Sequence, residues 1–145
     1  MCLTKAKKYD HNKDITCYKV VEVNKNGERM ELRSPFRYEK TWRIGRTEVI
    51  PTKRRNLVLC PLDGGYGKVF DGAYHSSAKL TDAKIIAEAK SNNRAKRSYK
   101  VMECIIPKNS AWTYRGEFRH HMSSGDICMP SFASQKLKPI RMIEE

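Results

Sequence analysis

The sequence lacks the features that mark membrane, secreted and disulfide-linked proteins. No run approaches about 18 apolar residues, so we expect no transmembrane helix and no membrane partner. The first 14 residues have no apolar core of the kind that a signal peptide needs, so we expect no secretion by that route. No Cys-x-x-Cys pair occurs and the five cysteines are an odd number, which favours reduced structural thiols in a cytosolic protein.

Motifs of catalysis and cofactor binding are also absent from the sequence. Neither Gly-x-Ser-x-Gly nor a complete phosphate-binding or dinucleotide-binding pattern occurs, and the Gly-rich residues 63–72 match none of them. His120, His121 and Cys128 are metal-ligating types, but their spacing is unlike that of a structural zinc site. We therefore expect no metal, no cofactor and no catalytic residue.

Acidic residues are few, because 16 Asp and Glu stand against 29 Lys and Arg in 145 residues, a net charge of +13. Residues 29–55 hold nine basic and three acidic side chains, net +6, and residues 90–100 hold five basic side chains and no acid, net +5. Concentrated positive charge attracts polyanions. The sequence therefore predicts a nucleic acid or an acidic protein surface as the partner.

The first basic segment predicts a nucleic-acid-binding surface. Arginine forms bidentate hydrogen bonds to phosphate, and aromatic rings among cations suit stacking on unpaired bases. Tyr38 and Trp42 are the stacking candidates, with the alternative that they are core residues of a half-buried strand. The expected phosphate contacts are Arg37, Lys40, Arg43, Lys53, Arg54 and Arg55, with a second basic patch at Lys96 and Arg97.

A different kind of site is suggested by His75, Ser76 and Ser77, which lie between the Gly-rich loop and a predicted helix. Hydroxyl groups close to a helix N-terminus and its unpaired N–H groups can bind an anion. The alternative is that the two serines are turn residues and that His75 is packed or exposed. A small anionic ligand, if the protein has one, is expected here.

Hydrophobic patterns predict an α+β fold with a mostly antiparallel sheet and one main helix packed on one face. Residues 1–13 are expected to form a flexible basic arm, and residues 14–145 a single domain. The helix is expected at about residues 81–93, with Thr81 as its N-cap. We expect a turn at 24–27, irregular structure at 120–130, and the principal strands at 15–23, 28–33, 69–75, 98–106, 111–118 and 137–143.

An ordered set of motifs runs along the chain: ITCYKVV, SPF, GAYHSSAKLTDA, VMECIIPKNS and FASQKLK. Over residues 14–143 this set resembles a group of uncharacterised small proteins of Bacteroidota and their phages. Asn109 stands where that pattern has glycine, and Tyr74 intervenes before His75. The resemblance implies a phage or bacterial setting, in the host cytoplasm or the virion, and it carries over no catalytic residue.

Three functions from different classes are compatible with these features. The first, which we favour, is a non-enzymatic phage-type protein that binds nucleic acid or packs in a larger assembly such as a virion. The second is a host-directed inhibitor that docks on a nucleic-acid-handling defence complex. The third is a small transferase-like enzyme with an anion or nucleotide pocket near the Gly-rich loop and His75. A homo-oligomer is a further expectation, because a second copy of the chain would cover an exposed sheet edge.

Overall fold

The computed structural model describes residues 3–26, 29–34, 37–50, 57–59, 68–70, 73–93, 98–122 and 125–143. In these ranges the chain forms twelve strands and one helix, α1 (Leu80–Asn93). The strands are β1 (Thr4–Lys8), β2 (Ile15–Asn26), β3 (Arg29–Ser34), β4 (Arg37–Trp42), β5 (Glu48–Val49), β6 (Leu57–Leu59), β7 (Lys68–Phe70), β8 (Tyr74–Ser77), β9 (Ser98–Ile106), β10 (Thr113–Met122), β11 (Gly125–Ser134) and β12 (Lys136–Met142).

Ten of these strands form one sheet, in which the neighbours are antiparallel. The strand order is β1-β10-β11-β8-β2-β9-β12-β5, with β3 paired to β2 and β4 paired to β3, while β6 and β7 form a separate pair. One helix and a large antiparallel sheet confirm the predicted α+β class.

The sheet coils on itself between β11 and β12. These strands are separated by three others in the sheet, a distance of about 19 Å at 4.8 Å per strand if the sheet were flat. Only Gln135 joins them in the chain, and one linking residue spans about 7 Å. The sheet must therefore curve until the two strands meet, which encloses one of its faces.

The helix packs on the other face of the sheet, which we call the helix face. Side chains of β2, β9, β11 and α1 form a buried cluster there, and its members are Val20, Ala83, Ile86, Ala87, Tyr99, Val101 and Met129. Alternate residues of a strand point to opposite faces, so their neighbours on β2 and β9 form the second cluster on what we call the far face. That cluster contains Cys17, Val21, Trp42, Met102, Cys104, Ile106, Phe132 and Leu137.

Residues 41–50, the covering segment, run from the end of β4 across the far face to the edge beyond β12. The Trp42 indole meets the Tyr74 ring edge to face, with centroids 5.0 Å apart. The Gly45 N–H donates to the Pro139 carbonyl oxygen at 2.8 Å. The covering segment thus covers the far face at β8, β2, β9 and β12. It does not cover the end of that face formed by β1 and β10.

The predicted flexible arm at residues 1–13 is corrected by the structure. Residues 4–8 form β1, an edge strand that pairs with β10. Leu3 is fully buried, and the Tyr9 N–H donates to the Thr113 carbonyl oxygen at 2.8 Å. One buried leucine and backbone pairing fix a segment whose lysines suit the solvent-exposed edge of a sheet.

The expectation of irregular structure at residues 120–130 is wrong. β10 and β11 form a hairpin in which Met122 pairs with Gly125, and Gly125 has a φ of +120° that favours glycine. Pro130 is tolerated within β11 because pairing with β8 begins only at Ser131, so the proline has a strand neighbour on one side.

Three element boundaries differ from the sequence-based prediction. Residues 24–26 of the expected turn at 24–27 belong to β2, in which Asn26 pairs with Arg29. The single strand expected at 69–75 is two strands, β7 and β8. The helix begins one residue early, because the Ala83 N–H donates to the Lys79 carbonyl oxygen, so Thr81 lies inside the first turn and is not the N-cap.

Candidate nucleic-acid interface

The structure describes only part of the basic surface that the sequence predicts. Arg43 is exposed on the covering segment. Arg37, Tyr38 and Lys40 belong to β4, of which the structure describes the backbone. The other predicted contacts, Lys53, Arg54, Arg55, Lys96 and Arg97, lie outside the described residues.

Trp42 occupies the core. Its side chain is 2% exposed, it packs against Tyr74, and the Lys19 ammonium lies 5.3 Å from the indole centroid. A nucleic-acid base cannot reach a ring that is buried to this extent. The structure therefore corrects the stacking role expected of Trp42 and supports the alternative that it is a core residue.

His75, Ser76 and Ser77 do not converge on one ligand. They lie within β8, where successive side chains point to opposite faces, and both serines are buried. The Nδ1–H group of His75 donates to the Ala73 carbonyl oxygen at 3.0 Å. The next N–H group along the chain, on Ala78, is already bonded to Pro130. The expected anion site before the helix is therefore not assembled in this structure.

The far face holds a buried polar cluster that the sequence analysis missed. Lys19 is 7% exposed, and its ammonium group donates to the His75 carbonyl oxygen at 2.7 Å. Cys17 and Cys104 are register partners on β2 and β9, and both are fully buried. Burial raises the pKa of Cys17 to about 12 and raises that of Cys104 as well; Lys19 opposes both shifts, and the Ser76 hydrogen bond opposes that of Cys17. Both thiols therefore stay protonated at neutral pH, and a thiolate nucleophile is not available here.

An exposed group of cations lies on the part of the far face that the covering segment leaves open. Lys7 of β1 lies directly opposite Arg115 of β10. Arg119 is four residues further along β10 and thus on the same face, and all three side chains are exposed. We call Lys7, Tyr9, Arg115 and Arg119 the strand patch.

Aromatic rings hold Arg115 in place. Its guanidinium carbon lies 5.9 Å from the centroid of Tyr9 and 5.9 Å from that of Phe132, and these two rings are 6.1 Å apart. Each such contact contributes about 0.5–1 kcal/mol at an exposed site. The planar N–H donors of Arg115 are therefore held at the surface by packing, in the form that binds phosphate bidentately.

The strand patch carries an excess of positive charge. Like charges directly opposite each other on neighbouring strands destabilise a sheet, and Lys7 and Arg115 form such a pair. Glu117 lies between the two arginines on the same face of β10, and Asp126 lies on that face of β11, two residues from Cys128, the register partner of Arg119. Three cations therefore meet two carboxylates, a net charge of +1. A polyanion bound here would offset this repulsion.

Only the β10 part of the strand patch could be predicted from the sequence. The run Arg115-Gly116-Glu117-Phe118-Arg119 has charged residues at every second position, which is the period of a strand with one exposed face. Lys7 is more than 100 residues away, so its position opposite Arg115 depends on long-range pairing that spacing does not reveal.

The metal-ligating types near the β10–β11 turn point in different directions. His120 and Arg119 are neighbours on β10, and Arg119 pairs with Cys128, so His120 and Cys128 lie on opposite faces of the sheet. Within the described ranges no three His, Cys, Asp or Glu side chains are placed to hold a metal ion together. No helix in the same ranges is long and apolar enough to cross a membrane.

Comparison of the chain with protein-family models, with curated proteins and with solved structures finds no match.

Proposed function

We propose that the protein is a non-enzymatic nucleic-acid-binding protein that uses the far face of its sheet. The observation that carries this proposal is the pairing of Lys7 with Arg115, with Arg119 further along the same exposed face. Repulsion between Lys7 and Arg115 is lowest when a phosphate group lies between them. The helix face, where α1 packs, lies on the other side of the sheet.

The arrangement of the cations suits a phosphate backbone. Arg115 and Arg119 are four residues apart on one strand, about 13 Å at 3.3 Å per residue. The two arginines flank the Glu117 carboxylate, so a phosphate backbone would meet them at separate phosphates, whereas a compact anion would contact only one of them. Arginine adds bidentate hydrogen bonds that fix the register of the backbone.

The interface extends toward the covering segment. Arg43 and Arg46 are exposed there, on a segment that packs against the far face. We propose that the contacts predicted from the sequence also bind phosphate, namely Arg37, Lys40, Lys53, Arg54 and Arg55, with Lys96 and Arg97 as a second patch. In the setting that the phage resemblance implies, such a protein would pack beside the genome in a virion or bind nucleic acid in the host cytoplasm.

The salt dependence of binding tests this proposal. Fluorescence anisotropy with labelled 20-nucleotide strands gives the slope of log K against log salt concentration, and each phosphate contact to a single strand contributes about 0.7 to that slope. We expect the double variant Lys7→Gln, Arg119→Gln to reduce the slope by about 1.4. The matched control is Lys79→Gln, Lys84→Gln, which removes two exposed charges around the start of α1.

The control separates a local interface from general attraction. Equal loss of slope in the two double variants would mean that net charge alone drives binding and would overturn the assignment to the far face. Failure of the unaltered protein to bind any strand at 50 mM salt would overturn the proposed function itself.

A further inference from the structure

The strand patch contains an exposed aromatic ring among its cations. Tyr9 is 38% exposed, follows β1 directly, and has the Arg115 guanidinium carbon 5.9 Å from its centroid. The ring is nearly parallel to that of His11, with an interplanar angle of 21° and centroids 6.1 Å apart. Two stacked rings beside an arginine form a surface of the kind that unpaired bases stack on.

Hydrogen bonds hold the two rings in this arrangement before any ligand binds. The Tyr9 N–H is bonded to the Thr113 carbonyl oxygen, which ties the residue to the start of β10. The His11 Nδ1–H donates to the Lys13 carbonyl oxygen at 2.7 Å, so in the neutral ring Nε2 accepts the Thr113 hydroxyl at 3.1 Å. Both nitrogens are engaged and the imidazole cannot turn without breaking a bond. A base that stacks here therefore loses little affinity to ordering the site.

We propose that the strand patch selects single-stranded nucleic acid, with an unpaired base stacked on the exposed part of the Tyr9–His11 pair. Lys7 and Arg115 then hold the phosphate next to that base. This inference rests on the proposed function and adds the class of nucleic acid. In a duplex the faces of the bases are covered by their neighbours, so a duplex gains only the phosphate contacts.

Tyr9→Ala and Tyr9→Phe are the variants that test the selection. Stacking of a base on an aromatic side chain predicts a 5- to 150-fold, that is about 1–3 kcal/mol, weaker Kd for single strands when the ring is removed. We expect Tyr9→Ala to show this loss on 20-nucleotide thymidine and uridine strands and a smaller loss, about 2- to 5-fold, on a 20-base-pair duplex, because the ring also holds Arg115. Tyr9→Phe keeps the ring and should bind all three as the unaltered protein does.

A second measurement uses the unaltered protein, so its result stays informative even if the Tyr9→Ala substitution disturbs β1. A single strand that carries 2-aminopurine, whose fluorescence changes when it stacks on a ring, is bound to the unaltered protein. We expect quenching with the unaltered protein and with Tyr9→Phe. Far-ultraviolet circular dichroism and thermal unfolding of Tyr9→Ala show whether its sheet is intact.

The outcomes distinguish this inference from the function on which it rests. Three results together would overturn the stacking site: equal affinity for single strands and duplex, an unchanged Kd in Tyr9→Ala, and no quenching of 2-aminopurine. The proposed nucleic-acid binding would not be affected by them. Equal weakening of single-strand and duplex binding by Tyr9→Ala would also overturn the stacking site. Absence of all binding by the unaltered protein would overturn both.

Discussion

The buried thiol of Cys17 makes the stability of the protein depend on alkaline pH in a way that one substitution isolates. The thiol is fully buried, and burial raises its pKa from 9.0 to about 12. An acid whose pKa is raised by folding keeps its proton in the folded state after the unfolded chain has lost it. The stabilisation is therefore complete below pH 9 and is lost as the pH rises from 9 toward 12.

The size of the effect follows from the two pKa values. With an unfolded pKa near 9 and a folded pKa near 12, the free energy of unfolding falls by about 1.4 kcal/mol between pH 8 and pH 10 because of this thiol alone. Tyrosine and lysine side chains in general also begin to lose protons in this range. The informative quantity is thus the difference between the unaltered protein and Cys17→Ala, in which the other groups cancel.

Urea unfolding at several pH values measures this difference, with tryptophan fluorescence as the signal and a phosphine reductant to keep thiols reduced. We expect Cys17→Ala to lower the free energy of unfolding at pH 8, because it removes packing atoms from the core. Its stability should then approach that of the unaltered protein by about 1.4 kcal/mol at pH 10. Cys128→Ala is the matched control, since the Cys128 thiol is exposed and is solvated in the folded and the unfolded states alike.

A constant difference between the unaltered protein and Cys17→Ala from pH 8 to pH 10 would refute the reasoning. It would mean that the Cys17 thiol ionises as easily inside the far face as in the unfolded chain. The Lys19 ammonium, which favours the thiolate, would then outweigh the loss of solvent around the sulfur.

Two further predictions concern single side chains that join the sheet to its loops. Gln135 is 3% exposed, accepts from the Ala111 N–H at 2.8 Å and donates to the Ile50 carbonyl oxygen at 3.1 Å, so Gln135→Ala should lower the free energy of unfolding by about 2–4 kcal/mol in urea titrations. An unchanged urea midpoint would show that water replaces both bonds. Gly45 has a φ of +85° with nothing within 4 Å of an added Cβ, so Gly45→Ala should cost about 1 kcal/mol from backbone strain and Gly45→Asn less. Equal costs for the two variants would contradict a backbone origin.

The sequence predicts best the strands whose faces differ in polarity. β2 and β9 are rich in β-branched and aromatic residues, and β12 alternates lysines with Leu137 and Pro139. The observed starts of these strands, at Ile15, Ser98 and Lys136, are within one residue of the prediction. The helix was predictable for a similar reason, because alanine and isoleucine recur on one side of residues 80–93. These signals are local, so no knowledge of the sheet is needed to interpret them.

Elements stabilised by long-range pairing were not predictable in the same way. β1 is a polar edge strand whose pairing with β10 joins residues more than 100 positions apart. The β10–β11 hairpin contains Pro130 and two adjacent histidines, which weaken the local strand signal although the pairing is continuous from Thr113 to Met122. The strand patch lies on these same elements, so the excess of arginine predicted a basic surface but did not indicate this position for it.

Phe132 connects the two basic regions of the far face. Its ring lies under the Arg115 guanidinium and also belongs to the buried cluster that includes Trp42 of the covering segment. The packing that orients Arg115 is therefore part of the packing that holds the segment carrying Arg43. Since both are fixed by one core, the free energy of arranging these cations is supplied when the chain folds and not when it binds. If the far face binds a polyanion, as we propose, this arrangement favours a long one that contacts both regions at once, because each added phosphate contact requires little further ordering of the protein.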